Sequence, residues 1–285
     1  MSTYFRRRRR SRPVELWQLF GDKSGGRCVA RDGSPWQSLN VNSTSQTYDR
    51  IGMGYGVRRP DPRLAARLNF HLGQAVAVLN VGAGTGNYEP ADREVVAVDP
   101  SLVMLAQRSV NAPPALQACA ECLPFSNSRF DAAMAISTVH HWNDLRQGLK
   151  ELARVAELRV VYFSEPALPG FHWLVDEYFP EIMDMPTNLA APRSEQVAEL
   201  LGGTVFVETF EVPADFTDGA GAFWSRPEFY CIPEVQAGLS MFALLNKADV
   251  QRGTELLRKD LRRVFGMSAM ATFELCQRWT SDTGS

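Results

Sequence analysis

Apolar residues dominate short runs at 75–81, 95–98, 130–136 and 159–163, interrupted only by Asn80 and Asp131 and led in the last by Arg159. Before and between these runs, over 62–72, 101–108 and 144–155, apolar positions recur at helical spacing. In the last of these stretches Leu145, Leu149, Leu152 and Val155 share one helix face. Asp61 followed by Pro62 marks a helix start, and Gly73 marks its end. Short continuous apolar strands separated by helices predict a parallel sheet covered on both faces. Beyond Pro166 the pattern changes. Helices are expected near 172–179 and 194–201 and over 233–245 and 247–264, and an alternating strand over 204–212. A last strand, antiparallel at the sheet edge, is expected over 272–279.

Composition narrows the class. The chain has 285 residues, 45% hydrophobic and 22% charged, in the ordinary globular range. A net charge of −2 argues against a body built for nucleic acid or an anionic membrane. Arg6 to Arg10 form a run, with Arg12 close behind, and like charges so crowded stay solvated. Residues 1–45 are therefore expected to be a basic, flexible extension with a short helix near 14–20, and residues 46–285 the folded domain. The basic start is not followed by the apolar stretch of an export signal, and no segment has the length and apolarity of a membrane span. The five cysteines are Cys28, Cys119, Cys122, Cys231 and Cys276. Cys119 and Cys122 form a lone CxxC with no second pair and no HxxxH, so no metal site is expected. Together these features describe a reduced, cytoplasmic protein.

The most informative stretch begins at the first strand and runs into glycines at 82, 84 and 86. Lacking Cβ, they allow a sharp turn and close approach to a ligand. The spacing is G-x-G-x-G, with Asn87 next, whereas a dinucleotide fingerprint needs G-x-G-x-x-G to bring a helix N-terminus to a pyrophosphate. A ligand without phosphates, such as an adenosyl amino acid, suits it better. Asp99 ends the next strand, where a carboxylate can accept hydrogen bonds from both hydroxyls of a ribose. Residues 87–94 leave room for only one or two helical turns between the two. Alone, the loop reads equally as a flexible connection and Asp99 as a turn residue. In order and in strand context, they point to a nucleoside-bearing ligand.

The loop, Asp99, the stretch Ala120-Glu121-Cys122-Leu123-Pro124-Phe125, Phe130-Asp131-Ala132-Ala133 and His140-His141-Trp142 resemble the class I S-adenosylmethionine-dependent methyltransferases, particularly the bacterial type 11 group. The resemblance implies an α/β, Rossmann-like fold: a mostly parallel seven-stranded sheet with helices on both faces and lid insertions. It implies S-adenosylmethionine as cofactor and S-adenosylhomocysteine as product. Residues 46–166 would form the cofactor-binding half, and 167–285 the substrate and lid elements with the last strands. Gly82, Ala83, Gly84 and Gly86 would wrap the methionine part, Asp99 take the ribose, and Pro100 and Met104 pack on adenine. Asn80 stands where the family usually has an acid for the cofactor's amino group, so it keeps an acceptor but loses a charge. Cys119 stands where many relatives carry Asp, which leaves the Ala120 backbone and Glu121 to meet the adenine amine. Tyr48-Asp49 matches a pair that touches the cofactor, and glycines at 52, 54 and 56 suit a lid.

The stretch from Ser137 to Trp142 would line the substrate mouth, with His140 or His141 as a general base and Glu165 facing the same mouth. Many methyltransferases work by positioning alone, and that reading stays open. The Lys-Pro-Gly-Gly common before the fifth strand is missing, so a tighter connection is expected there. The later aromatics, Trp173 to Tyr230, would either line an acceptor pocket or form a small core, with Arg226 a candidate for a carboxylate. The expected activity is methyl transfer to an O, N or C atom of a small molecule in bacterial secondary metabolism. The alternative keeps the adenosyl ligand but catalyses a non-methylating step such as a cyclisation, or serves as a partner subunit. Nucleic acid ranks last, because no N-P-P-Y or D-P-P-Y follows the fourth strand. No membrane partner is expected, while a homodimer or a partner protein stays open.

Overall fold

Each apolar run expected to be a strand forms one, and all of them lie in a single sheet. A computed structural model describes residues 44–53, 59–163, 166, 172–219 and 221–265. The chain opens with helices α1 (Thr44–Ile51) and α2 (Pro62–His71), then strands β1 (Ala77–Val81) and β2 (Glu94–Asp99). Helix α3 (Leu102–Ala106), β3 (Ala115–Gln117), β4 (Phe130–Ile136), α4 (Leu145–Val155) and β5 (Ala156–Tyr162) follow. The remainder is helical: α5 (Trp173–Glu177), α6 (Pro186–Leu189), α7 (Ser194–Leu201), α8 (Pro233–Ala237), α9 (Ser240–Leu244) and α10 (Lys247–Phe265). No helix among the described residues is long and apolar enough to cross a membrane.

The strands run parallel in the order β3-β2-β1-β4-β5. The sheet is α/β and Rossmann-like as expected, but it has five strands among the described residues, not seven. Residues 204–212 are described and form no ladder. Phe206 and Val207 there are 89% and 62% exposed. A strand needs a neighbour to satisfy its backbone, and the strand expected over 272–279 lies outside the described residues, as do residues 1–43 with their expected helix. The helix expected over 233–245 breaks into α8 and α9 around Gly238. Strand β3 was not expected, since three residues are too few to show a period.

Side chains alternate across the sheet. Val78, Val95, Ala132, Met134 and Val160 point to one core, shared with α2, α5 and α10. Leu79, Val81, Val96, Val98, Ala133 and Ala135 point to the other, closed by Leu152 and Val155 of α4. Helix starts follow the sequence: Asp61, Ser101 and Asp144 cap α2, α3 and α4 by accepting backbone N–H groups of Arg63, Met104 and Gln147. Helix α4 ends at Val155 and β5 begins at Ala156, so the tighter connection has no linking residue at all. From β1 to β2 the chain crosses through turns rather than a helix. The strand order reverses between β1 and β4, which is where an open α/β sheet forms a crevice at its carboxyl edge.

Candidate active site

That crevice holds a cavity. Its floor is the glycine loop, pinned where the Gly82 and Ala83 amides donate to the Val98 carbonyl at 2.9 and 3.0 Å. Gly82, Gly84 and Gly86 have φ of 71°, 52° and 97°, the left-handed region that disfavours side chains. A Cβ on Gly82 would lie 2.0 Å from Thr138 Oγ1, so the loop from β1 and the turn after β4 meet with no space for a methyl group. Asp99, 7% exposed, anchors the loop from the β2 side. Its Oδ2 accepts from the Gly84 amide at 2.8 Å and its Oδ1 from the Ser101 amide at 2.9 Å. Each oxygen thus keeps acceptor capacity for a ligand hydroxyl. Burial pushes the Asp99 carboxyl above its usual range, against these two amides and the charge of Arg108.

Helix α1 crosses over the cavity. Tyr48 Oη is hydrogen-bonded to His141 Nε2 at 2.6 Å, beyond the end of β4. Asp49 accepts from Ser101 Oγ at 2.6 Å, beyond the end of β2. Gln107 of the turn after α3 donates to the Gly52 carbonyl at 2.8 Å. Pro100 and Met104 form the apolar side wall, and Cys119, Ala120 and Glu121 continue it. Burial, reinforced by Glu121, pushes the Cys119 thiol far up, away from the thiolate form that a nucleophile uses. Glu121 is also tied to α4: its Oε1 accepts the Asp144 amide at 3.2 Å.

The far wall is the end of β4 and the turn beyond it. Ser137 there holds a φ of 53°, unusual for a residue with a side chain. Trp142 donates to Thr138 Oγ1 at 3.3 Å and packs against α4, where a Cβ on Gly148 would come within 2.3 Å of its ring.

Of the residues anticipated from sequence, Tyr48, Asn80, Gly82, Ala83, Gly84 and Asp99 line the cavity. So do Pro100, Met104, Ala120, Glu121, Ser137 and His141. Gly86 and His140 are not among the lining residues. Gly86 packs behind the loop against Arg108 and Glu89, and the His140 ring lies 3.9 Å from that of His141. Glu165 lies outside the described residues. Sequence reasoning gave no role to Thr85, Asn87, Tyr88, Ile136 or Asn143, which also line it, as do Thr138 and Trp142 of the stretch expected at the substrate mouth. Nothing local says which side chains of that stretch turn inward. None of the later aromatics lines this cavity. Phe223 and Phe229 stack at 5.1 Å with the Arg226 guanidinium over both rings, and Arg226 donates to the Phe216 and Ala222 carbonyls. Arg226 is thus packed among these aromatics, outside the lining of this cavity. Among the described residues no group of three or more His, Cys, Asp or Glu could hold a metal ion.

Residues 79–159, which contain the loop, Asp99 and the β4 turn, match the family model described as "Methyltransferase domain". A demethylmenaquinone methyltransferase of Corynebacterium urealyticum is 31% identical over 169 residues, 54% of this chain and 74% of the relative. The chain belongs to the class I S-adenosylmethionine-dependent methyltransferases. The methyltransferase is also similar in structure to one ascribed to an antibiotic biosynthesis pathway of Anabaena variabilis ATCC 29413. That likeness has a TM-score of 0.65 at 31% identity, covering 74% of this chain and 92% of that one. A malonyl-[acyl-carrier protein] O-methyltransferase of Pseudescherichia vulneris is 34% identical over 147 residues, 47% of this chain but only 59% of that relative. The methyltransferase's cavity fits the family's cofactor on its own geometry. Glycines at 82, 84 and 86 leave room beside the loop for an amino-acid portion, Asp99 has acceptor capacity for a diol, and Pro100 and Met104 offer an apolar wall to a flat base.

Proposed function

We propose that this methyltransferase carries the methyl group of S-adenosylmethionine to a nucleophilic oxygen, nitrogen or carbon atom of a small molecule. The observation that carries the reading is the roof made by α1, tied by Tyr48 to the β4 end and by Asp49 to the β2 end. A cleft roofed by a helix and walled by side chains on three strand ends suits a compact acceptor. The relatives' printed substrates, a demethylmenaquinone and a malonyl group on a carrier protein, are of small-molecule metabolism, which supports the same class.

When bound, S-adenosylmethionine supplies a sulfonium whose methyl passes to the acceptor as the sulfur becomes a thioether and the nucleophile releases any proton it carries. The chain's own part is to bind, align and keep water out. Asp99 accepts from the ribose hydroxyls, and the loop of Gly82, Ala83 and Gly84 holds the amino-acid end. Of the two candidate histidines, His141 is the one that lines the cavity. It takes the proton of a hydroxyl or amine acceptor, with its ring orientation set by Tyr48.

Calorimetric titration with S-adenosylmethionine and S-adenosylhomocysteine, beside an Asp99→Ala variant, tests the cofactor half. The variant is expected to bind at least about tenfold more weakly, because it loses hydrogen bonds to a charged acceptor. A parent chain that bound neither compound would overturn the reading. A screen of small molecules with methyl-labelled cofactor then tests the acceptor class.

A further inference from the structure

Asn80 looked like a weakened copy of an acid. Its surroundings give it another meaning. Asn80 is 2% exposed near the end of β1 and donates from Nδ2 to Glu89 Oε1 at 2.9 Å. Glu89 is gripped from its other side by Arg108, whose Nη1 donates to Oε1 at 3.0 Å and Nη2 to Oε2 at 2.8 Å. Both side chains of this ion pair are only 5% exposed. The pair fills the space behind the third loop glycine: a Cβ on Gly86 would lie 2.9 Å from Arg108 Nη1 and 3.2 Å from Glu89 Oε2.

An ionised carboxylate only accepts hydrogen bonds, so the amide must turn its NH2 group toward Glu89. That leaves the carbonyl oxygen as the end of Asn80 available to the cavity, which Asn80 lines and Glu89 does not. An aspartate at position 80 would instead set two buried carboxylates at hydrogen-bonding distance around a single guanidinium. Like charges so placed do not both ionise.

We propose that Glu89 and Arg108 are positioning residues for the amino-acid end of the cofactor. The ion pair fixes the Asn80 amide so that its oxygen receives the α-ammonium, and asparagine at 80 is the counterpart of glutamate at 89. The inference rests on the cofactor reading above. It also gives one of the two departures from the family pattern, Asn80 and Cys119, a role in binding the cofactor.

The test compares Asn80→Asp, Glu89→Gln and the double variant, each titrated with S-adenosylhomocysteine and with 5′-methylthioadenosine, which lacks the amino-acid portion. Thermal melting without ligand reports folding. Asn80→Asp and Glu89→Gln are each expected to weaken S-adenosylhomocysteine binding about tenfold or more while methylthioadenosine binding holds within about threefold. The double variant recreates the reciprocal pair, a carboxylate at 80 facing an amide NH2 at 89, and is expected to regain most of the loss. Single losses that simply add in the double variant would overturn the proposal, as would equal losses for the two ligands. If Asn80→Asp does not fold, the comparison of Glu89→Gln with the double variant decides: a double variant binding S-adenosylhomocysteine no better than Glu89→Gln overturns it. Failure of the parent chain to bind either compound would instead bring down the cofactor reading itself.

Discussion

At the scale of single residues, the site depends on positions where a side chain cannot be. Gly73 and Gly82 share a left-handed backbone, with φ of 55° and 71°. Around Gly73 an added Cβ meets nothing within 4 Å, whereas at Gly82 it meets Thr138 Oγ1 at 2.0 Å. Gly73→Ala is therefore expected to cost only the backbone strain, about 1–2 kcal/mol of unfolding free energy. Gly82→Ala adds overpacking of about 1–3 kcal/mol and tilts the loop away from Asp99, abolishing S-adenosylhomocysteine binding. Chemical denaturation and calorimetry on the two variants separate these effects, and equal costs at the two sites would show that strain alone matters. The glycine loop was legible because its spacing is local. The partners that give its neighbours meaning were not: Glu89 is reached by Arg108 across 19 positions, and Tyr48 meets His141 across 93. No single-chain pattern carries such pairings, since packing alone brings them together.

At the scale of elements, the sequence was readable where a segment must bury one face regardless of its neighbours. Strands β1, β2, β4 and β5 and helices α2 and α4 satisfied that condition, and the two helices start behind the caps Asp61 and Asp144. Residues 204–212 had the alternation of a strand, but a strand forms only against an edge, and among the described residues none accepts it. A cap of another kind lies at the start of α5. His172 Nδ1 accepts the Leu174 amide at 3.3 Å, which requires that nitrogen to be unprotonated. Burial lowers the His172 pKa below its ordinary value, against the pull of Asp176. In the unfolded chain the ring protonates near pH ~6.5, while the native state resists the proton. The unfolded state then binds more protons, so the stability from this cap is complete above that pH and is lost as pH falls through the folded pKa. The parent should lose up to about 1 kcal/mol more than a His172→Asn variant between neutral pH and pH ~5.5, because Asn caps without titrating. Melting curves at the two pH values measure it, and parallel losses in both proteins would remove His172 from the pH response.

At the scale of the molecule, two apolar cores are held apart by one sheet, and the ligand crevice opens at the edge where the strand order reverses. The consequence is an uneven distribution of stability. Strands β1 and β4 are paired on both sides, and Leu79, Ala133 and Met134 within them are fully buried. Their amides exchange only through global opening. Helix α1 is tied down instead by side-chain bonds around the cavity, from Tyr48, Asp49 and the Gln107–Gly52 contact. It is expected to exchange through local opening, well before the sheet. A ligand that binds only the native state at a hundred times its dissociation constant stabilises it by about 2.7 kcal/mol, which slows global exchange roughly a hundredfold. Every site in the sheet must register that shift, whichever face of the protein the ligand touches. The α1 amides respond only if the ligand needs the roof in place, because a local opening that left binding intact would exchange at its old rate. Hydrogen exchange with and without S-adenosylhomocysteine is therefore expected to show α1 slowing at least about tenfold along with β1 and β4. Slowing confined to the strands would mean that α1 does not close the site, and Tyr48 would then have no part in holding the cofactor or the acceptor.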